Sequence, residues 1–343
     1  MNDSLVVTVY AAWLVLSAGA LWRLGLLDPA PLRTAPPRRS QLNYWHAGAS
    51  CSLYVSTALL ATMLLARAAG VTAEAAGPAT WPATRSATQA TTEAATQAGA
   101  PVTTRVTTRA TTRAAPTPAT SPAAVVVTQI GDMFGKVIGG IAILVLAGRL
   151  VVGGPSGFGV SARQLPRGLW LGLLAALLLA PWIVGVETAS SWVGSLIRHG
   201  PTPIHPILKD LETHPGAGET FVLALSACLI APLGEELFFR GMLQTVLLRV
   251  LRRRAAATAG ESVALGAAAR WGVIVLVSIL FASVHFDSSQ MNFEVLPVLF
   301  LLALALGYTY ERTGNLWASV TLHALFNSVS VAAVILGTAG HGS

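Results

Sequence analysis

The sequence predicts an all-α fold, a polytopic transmembrane helix bundle of about eight membrane-spanning helices. Two observations predict it. Of the 343 residues, 53% are hydrophobic and 11% charged, against about 25% charged in an average soluble chain. The apolar residues also gather in runs long enough to cross a hydrocarbon core, which takes about 20 residues of helix. The lipid bilayer is therefore the first expected partner.

The runs follow in order. Residues 5–27 form the first, and no basic region precedes it, so it reads as a retained helix and not as a cleaved signal peptide. Residues 44–66 form the second, with Arg33, Arg38 and Arg39 between them. Together, as residues 1–67, they read as an N-terminal hairpin whose arginine-bearing loop is cytoplasmic and whose N-terminus lies outside. Residues 68–124 turn abruptly to Ala, Thr and Pro, with Thr-Thr-Arg repeated between Val102 and Arg113. Such a stretch buries too little apolar surface to order itself, and reads as a disordered linker on the outer side.

From 125 to 338 the apolar runs return, at 131–152, 169–186, 221–250, 271–286, 296–310 and 316–336. Arg149, Arg163 and Arg167 follow the third run, Arg249, Arg252, Arg253, Arg254 and Arg270 the fifth, and Arg312 the seventh. Simple alternation puts all these arginines on the cytoplasmic side, so charge and count agree. The proline-rich stretch 187–219 reads as an outer loop, with a short surface helix as an option.

These patterns exclude other classes. The net charge of +7 does not point to nucleic acid, because the arginines lie between apolar runs or in the Thr-rich tract, with no basic face bearing aromatic platforms. Cys51 and Cys228 have no Cys-x-x-Cys spacing, so they make no thiolate metal site. His199, His205 and His214 in the proline-rich stretch lack helical ligand spacing and are read as loop residues.

The fifth run carries chemistry. It reads Ala-Pro-Leu-Gly-Glu-Glu-Leu-Phe-Phe-Arg-Gly, with Glu235, Glu236 and Arg240 deep in an apolar segment. An ionisable group at mid-membrane costs about 2.5–3.5 kcal/mol on insertion scales, so such groups are expected to be paired, cavity-lining and functional. Adjacent helical residues point about 100° apart, which separates Glu235 from Glu236, whereas Glu236 and Arg240 are i and i+4 and face each other. Arg240 is thus expected to hold Glu236, leaving Glu235 aimed elsewhere and free for proton transfer.

The sixth run ends at His285, and the eighth brings His323 and Asn327, again i and i+4. Three apolar helices thus contribute a carboxylate, an imidazole, and an imidazole with an amide. Converging, they make a hydrolytic site: Glu235 deprotonates a water, the histidines bind a metal or polarise and protonate, and Asn327 donates to an oxyanion. Two histidines and a carboxylate are also a zinc set with water in the open position. In that reading His285 and His323 hold Zn2+, with Glu235 or Asn327 beside them. Against it, the ligands come from separate helices and Asn is a poor zinc ligand, so metal-dependent and metal-free hydrolysis stay as two readings.

The ordered set resembles the CAAX-protease and bacteriocin-processing (CPBP) family of intramembrane proteases, which includes the CAAX prenyl endopeptidases and the bacterial Abi or lysostaphin-resistance proteins. The likeness lies in Glu235-Glu236-x-x-x-Arg240, Phe281-x-x-x-His285, the Tyr-Glu-Arg-Thr-Gly-Asn-Leu-Trp-Ala-Ser segment from Tyr310, and His323-x-x-x-Asn327. It covers residues 131–336, most firmly 231–328, and leaves out the first two runs and the Thr-rich linker. The resemblance implies an intramembrane endopeptidase of a bacterial inner membrane, acting on membrane-associated peptide or protein substrates, CAAX-type prenylated ones included. It also implies Glu235 as water-activating base, Glu236 as its support, His285 and His323 as metal ligands or electrostatic partners, Asn327 as the oxyanion or ligand group, and Phe281 as packing beside the site. Two other readings compete: a catalytically silent scaffold or bacteriocin-immunity factor using the same cavity, and a proton-coupled transporter. The complete Glu, His, His, Asn set speaks against the first, and the lack of matching halves in the hydropathy against the second.

Overall fold

The computed structural model describes residues 3–23, 32, 41–68, 122–198, 216–259, 264–286 and 293–341. Arg33, Arg38, Arg39, nearly all of the Ala/Thr/Pro-rich stretch, and His199, His205 and His214 lie outside the described residues. Among the described residues there is no strand. The elements are α1 (Asp3–Arg23), α2 (Tyr44–Ala68), α3 (Pro122–Leu150), α4 (Leu165–Arg198), α5 (Ala217–Ala259), α6 (Ala267–Val284), α7 (Val295–Thr313) and α8 (Leu316–His341). Seven of them are long and apolar enough to cross a membrane, and α1 contributes a shorter apolar helix, Val7–Arg23. Leu59, Ile141, Ile279 and Val329 are 61%, 55%, 51% and 70% exposed. Apolar faces bared on this scale suit lipid, not water.

α3 begins at Pro122, nine residues ahead of the run read from 131 and inside the end of the stretch read as linker, and two further boundaries differ from the hydropathy reading. The stretch read as a loop from residue 187 is helical as far as Arg198, because α4 runs on past Pro181. There the Tyr10 hydroxyl of α1 donates to the Pro181 carbonyl at 2.7 Å, and Trp182 Nε1 donates to Ser17 Oγ at 3.1 Å. The second is the end of α5, which continues to Ala259 through Arg252, Arg253, Arg254 and three alanines. Their polarity ends the apolar run, yet Arg and Ala are strong helix formers.

The α2–α3 pair is the closest packed. Gly131, Gly135 and Gly139 line one face of α3, and a Cβ at Gly135 would come 2.5 Å from Ala58 Cβ and 2.9 Å from the Tyr54 carbonyl. A Cβ at Gly131 would stand 2.8 Å from Thr62 Cα. Small residues four apart let two helix backbones approach within a bilayer, where no hydrophobic effect drives them together. The small-residue run of α3 is thereby used inside the chain.

One buried cluster, with Ile143, Leu237, Met242, Tyr310 and Val320, joins α3, α5, α7 and α8, and a second, with Phe239, Val277, Phe281 and Ala303, lies among α5, α6 and α7. At one end of the bundle Gln41 N–H donates to the Leu150 carbonyl at 2.6 Å, and Arg249 donates to the Leu42 carbonyl. Asn315 Nδ2, just past the left-handed Gly314 (φ 62°) that turns α7 into α8, donates to the Gln164 carbonyl at 2.9 Å. The segments next to the arginine-rich stretches thus meet at one end, as the positive-inside pattern expects.

Candidate active site

The glutamates sit between two irregular turns of α5. Residues Ser226–Ile230 and Leu237–Gln244 are π-helical, with the regular turn Ala231–Glu236 between them. Pro232 has no N–H to give to the carbonyl four residues back, and the Ala231 N–H bonds to the Ser226 carbonyl five residues back. Pro232 therefore widens the helix without breaking it. Such π turns appear frequently at functional sites.

Glu236 faces the interior. Arg240 Nη1 donates to Glu236 Oε1 at 2.8 Å, and both side chains are completely buried. Arg240 Nη2 donates to the Ala303 carbonyl at 3.2 Å, and the guanidinium lies 4.7 Å from the Phe281 ring centroid. The expected i, i+4 pair is present, with a second anchor on α7 and an aromatic lid from α6.

Glu235 and Glu236 nevertheless meet one imidazole, which the 100° argument had separated. His323 Nδ1 donates to Glu236 Oε1 at 3.0 Å, while His323 Nε2 stands 4.0 Å from Glu235 Oε2. The ring is long enough to touch a different carboxylate at each edge. His285, at the C-cap of α6, donates from Nδ1 to the Phe281 carbonyl at 2.7 Å and turns Nε2 toward Glu235 Oε2 at 3.7 Å. With Nδ1 engaged in both rings, both Nε2 atoms face the same carboxylate oxygen.

Asn327, one turn past His323 on α8, is tied to α5. Its Nδ2 donates to the Ala227 carbonyl at 2.7 Å, tying α8 to the first π turn, although the side chain also lines the cavity. That bond latches α8 to the widened turn and uses one of the two Nδ2 hydrogens.

Two cavities meet at Glu235. One, of about 530 Å³, is lined by Lys136, Glu235, Phe281, His285, His323 and Asn327 among others. The other, of about 450 Å³ and nearly apolar, lies against α2 and includes Tyr54, Lys136, Gly139, Glu235, Phe238 and His285. Glu235, His285 and Lys136 line both.

Lys136 was missed from the sequence. Its ammonium stands 3.5 Å from Glu235 Oε1 and 2.6 Å from Asp132 Oδ2, and Asp132 Oδ1 accepts from the Tyr54 hydroxyl at 2.6 Å. Two ionisable groups inside the apolar run 131–152 were the available signal. A second buried polar group was also missed: Gln244 Nε2 donates to Glu311 Oε2 at 3.2 Å and to the Gly307 carbonyl at 3.3 Å, while Arg270 pairs with Glu311 Oε1. It binds α5, α6 and α7 together on the arginine-rich side.

The donors that would hold a metal are Glu235, His285 and His323. Among the described residues, no group of three or more His, Cys, Asp and Glu side chains is arranged to do so. Oxygen and nitrogen ligands about 2.0 Å from a tetrahedral zinc lie about 3.3 Å apart, closer than the 3.7 and 4.0 Å found. The Lys136 cation also shares the carboxylate. As they stand, the three donors are spaced more widely than a tetrahedral zinc holds its ligands.

Residues 217–329 match the family model described as "Type II CAAX prenyl endopeptidase Rce1-like". A protein of Escherichia coli described as an uncharacterised 24.3 kDa protein is 29% identical over 145 residues, an alignment covering 42% of this chain and 58% of that protein. The chain therefore spans little more than half of that relative's length. No solved structure matches. The matched stretch carries Glu235, Glu236, Arg240, His285, His323 and Asn327, so it is in the region of the site that the chain is similar to the Rce1-like type II CAAX prenyl endopeptidases.

Proposed function

We propose that the protein is an intramembrane endopeptidase that hydrolyses peptide bonds of membrane-associated substrates, CAAX-type prenylated peptides included, by a water activated on Glu235. The observation that carries this reading is the meeting of Glu235 Oε2 with two imidazole Nε2 atoms at 3.7 and 4.0 Å in a cavity inside the bundle. These gaps are too long for direct hydrogen bonds, and one water bonding at about 2.8 Å spans them.

Chemically, Glu235 takes a proton from that water as its oxygen attacks the scissile carbonyl carbon. His285 or His323, protonated on Nε2 as well as on Nδ1, supports the oxyanion through that second N–H. Glu235 then delivers its proton to the leaving nitrogen as the carbon–nitrogen bond breaks, giving a carboxylic acid and an amine. Glu236 and Arg240 act one step back: Glu236 fixes the His323 ring through Nδ1, and Arg240 neutralises Glu236 where both are buried. No step needs a covalent intermediate.

The test is turnover of membrane-tethered peptides, prenylated and plain, by purified protein in lipid vesicles. Glu235→Gln is expected to lower kcat by at least about 100-fold, the usual contribution of a general base. Cleavage that survives Glu235→Gln, or a folded wild type that cleaves nothing, would favour the silent scaffold instead. A chelator arm in the same assay tests the zinc reading directly, and full activity in chelator is expected.

A further inference from the structure

A buried base needs its carboxylate held at one angle, and Glu235 is held from outside its own helix. Lys136, from α3, lies 3.5 Å from the oxygen of Glu235 opposite to the one the histidines face. The Lys136 side chain is 14% exposed, and it is the nearest cation to that oxygen among the described residues. Lys136 is itself held, because Asp132 one turn earlier on α3 pairs with it at 2.6 Å. Asp132 in turn is fixed by the Tyr54 hydroxyl at 2.6 Å. Tyr54 belongs to α2, which lies outside residues 217–329 that match the family.

The placement of Tyr54 is set by packing. The glycines of α3 admit the α2 backbone at Tyr54, Ala58 and Thr62, and a Cβ at Gly139 would meet Tyr54 Cβ at 3.1 Å. The line of contacts from α2 to the base is therefore continuous: Tyr54 hydroxyl, Asp132 carboxylate, Lys136 ammonium, Glu235 carboxylate. Four polar side chains joined in apolar surroundings cost much if left unpaired and are held firmly when complete.

We infer that Lys136 is a positioning residue for Glu235, and that α2, through Tyr54 and Asp132, is part of the active centre and not an appended anchor. The inference rests on the protease reading of Glu235. Lys136 acts only through that carboxylate: it turns Oε2 toward the two Nε2 atoms by binding Oε1.

The test separates placement from binding, with the same tethered peptides in vesicles. Lys136→Met keeps the length of the side chain and removes its charge; kcat is expected to fall about 100-fold, as for a catalytic group displaced by about 1 Å, with KM changed less than about threefold. Lys136→Arg is expected to restore kcat to within about tenfold of wild type, since it keeps the cation. Tyr54→Phe is expected to lower kcat about tenfold, as for one lost hydrogen bond to a charged group, and to add nothing in the Lys136→Met background. Leu59→Ala, on the exposed face of the same helix, leaves kcat unchanged. Unfolding midpoints in the same vesicles report folding; if Lys136→Met does not fold, Asp132→Asn and Tyr54→Phe carry the test with the same loss confined to kcat. An active wild type silenced by Glu235→Gln but untouched by Lys136→Met overturns this inference alone, as does a Tyr54→Phe loss that multiplies with that of Lys136→Met. A wild type that cleaves nothing, or a Glu235→Gln enzyme that still cleaves, removes the protease reading and this inference with it.

Discussion

Glu235 and Glu236 are neighbours in the chain, yet burial asks different things of them. Glu236 is completely enclosed and balanced by an equally enclosed Arg240. Removing one partner of such a pair leaves an uncompensated buried charge, so Arg240→Met is expected to cost about 3–5 kcal/mol of stability, read as a fall in the unfolding midpoint in lipid. Arg240→Lys should recover little, because a single ammonium cannot replace the two guanidinium nitrogens that reach Glu236 and the Ala303 carbonyl. Asn327→Leu should cost about 1–3 kcal/mol by the same measurement, since it strips the Ala227 carbonyl of its donor. Most of these residues were legible in the sequence because charge in an apolar run is expensive and therefore conspicuous. Lys136 was not, because Asp132 and Lys136 are i and i+4 and pass for a self-contained pair. Tyr54 carries no charge, and its role rests on a contact 78 residues away.

Helix count and most helix positions followed from hydropathy alone; the conformation of α5 did not. A π turn leaves no mark on hydropathy, and Pro232 and Gly234 read equally well as a break. The stretch read as a loop from residue 187 misled in the other direction, because its prolines begin only at Pro201 and the helix carries on to Arg198. The α2–α3 contact is an element-scale feature with a sharp expectation. Gly135→Leu would drive a side chain into the Ala58 methyl and the Tyr54 carbonyl, and overpacking of that kind costs about 1–3 kcal/mol. The unfolding midpoint should fall, and kcat should fall with it if α2 positions Lys136.

For the whole molecule, the arginine pattern and the structure agree on one polar end: Leu42, Leu150, Gln164 and Arg249 come together there. With Cys51 and Cys228 replaced by serine, single cysteines at Arg163 and Arg254 should be labelled by an impermeant maleimide from one face of the membrane, and one at Glu219 from the other. Labelling of positions 163 and 254 from opposite faces would defeat the simple alternation of helices. α5 runs through the middle of this arrangement and touches α2, α3, α6, α7 and α8. Its two π turns give it a special sensitivity to residue count. Each π turn carries about one residue more than a regular turn of the same rise, so deleting a single residue between Ser226 and Ile230 would restore an ordinary α turn and leave the segments on either side nearly in place, whereas deleting Leu233 from the regular turn would swing everything before it by about 100° relative to Glu235. In the second case Ser226 would leave Gln129 and Ala227 would leave Asn327, with every catalytic side chain still present. The base in this protein is placed by arithmetic along the chain as well as by chemistry, and a one-codon deletion that removes no charged residue would be enough to lose it.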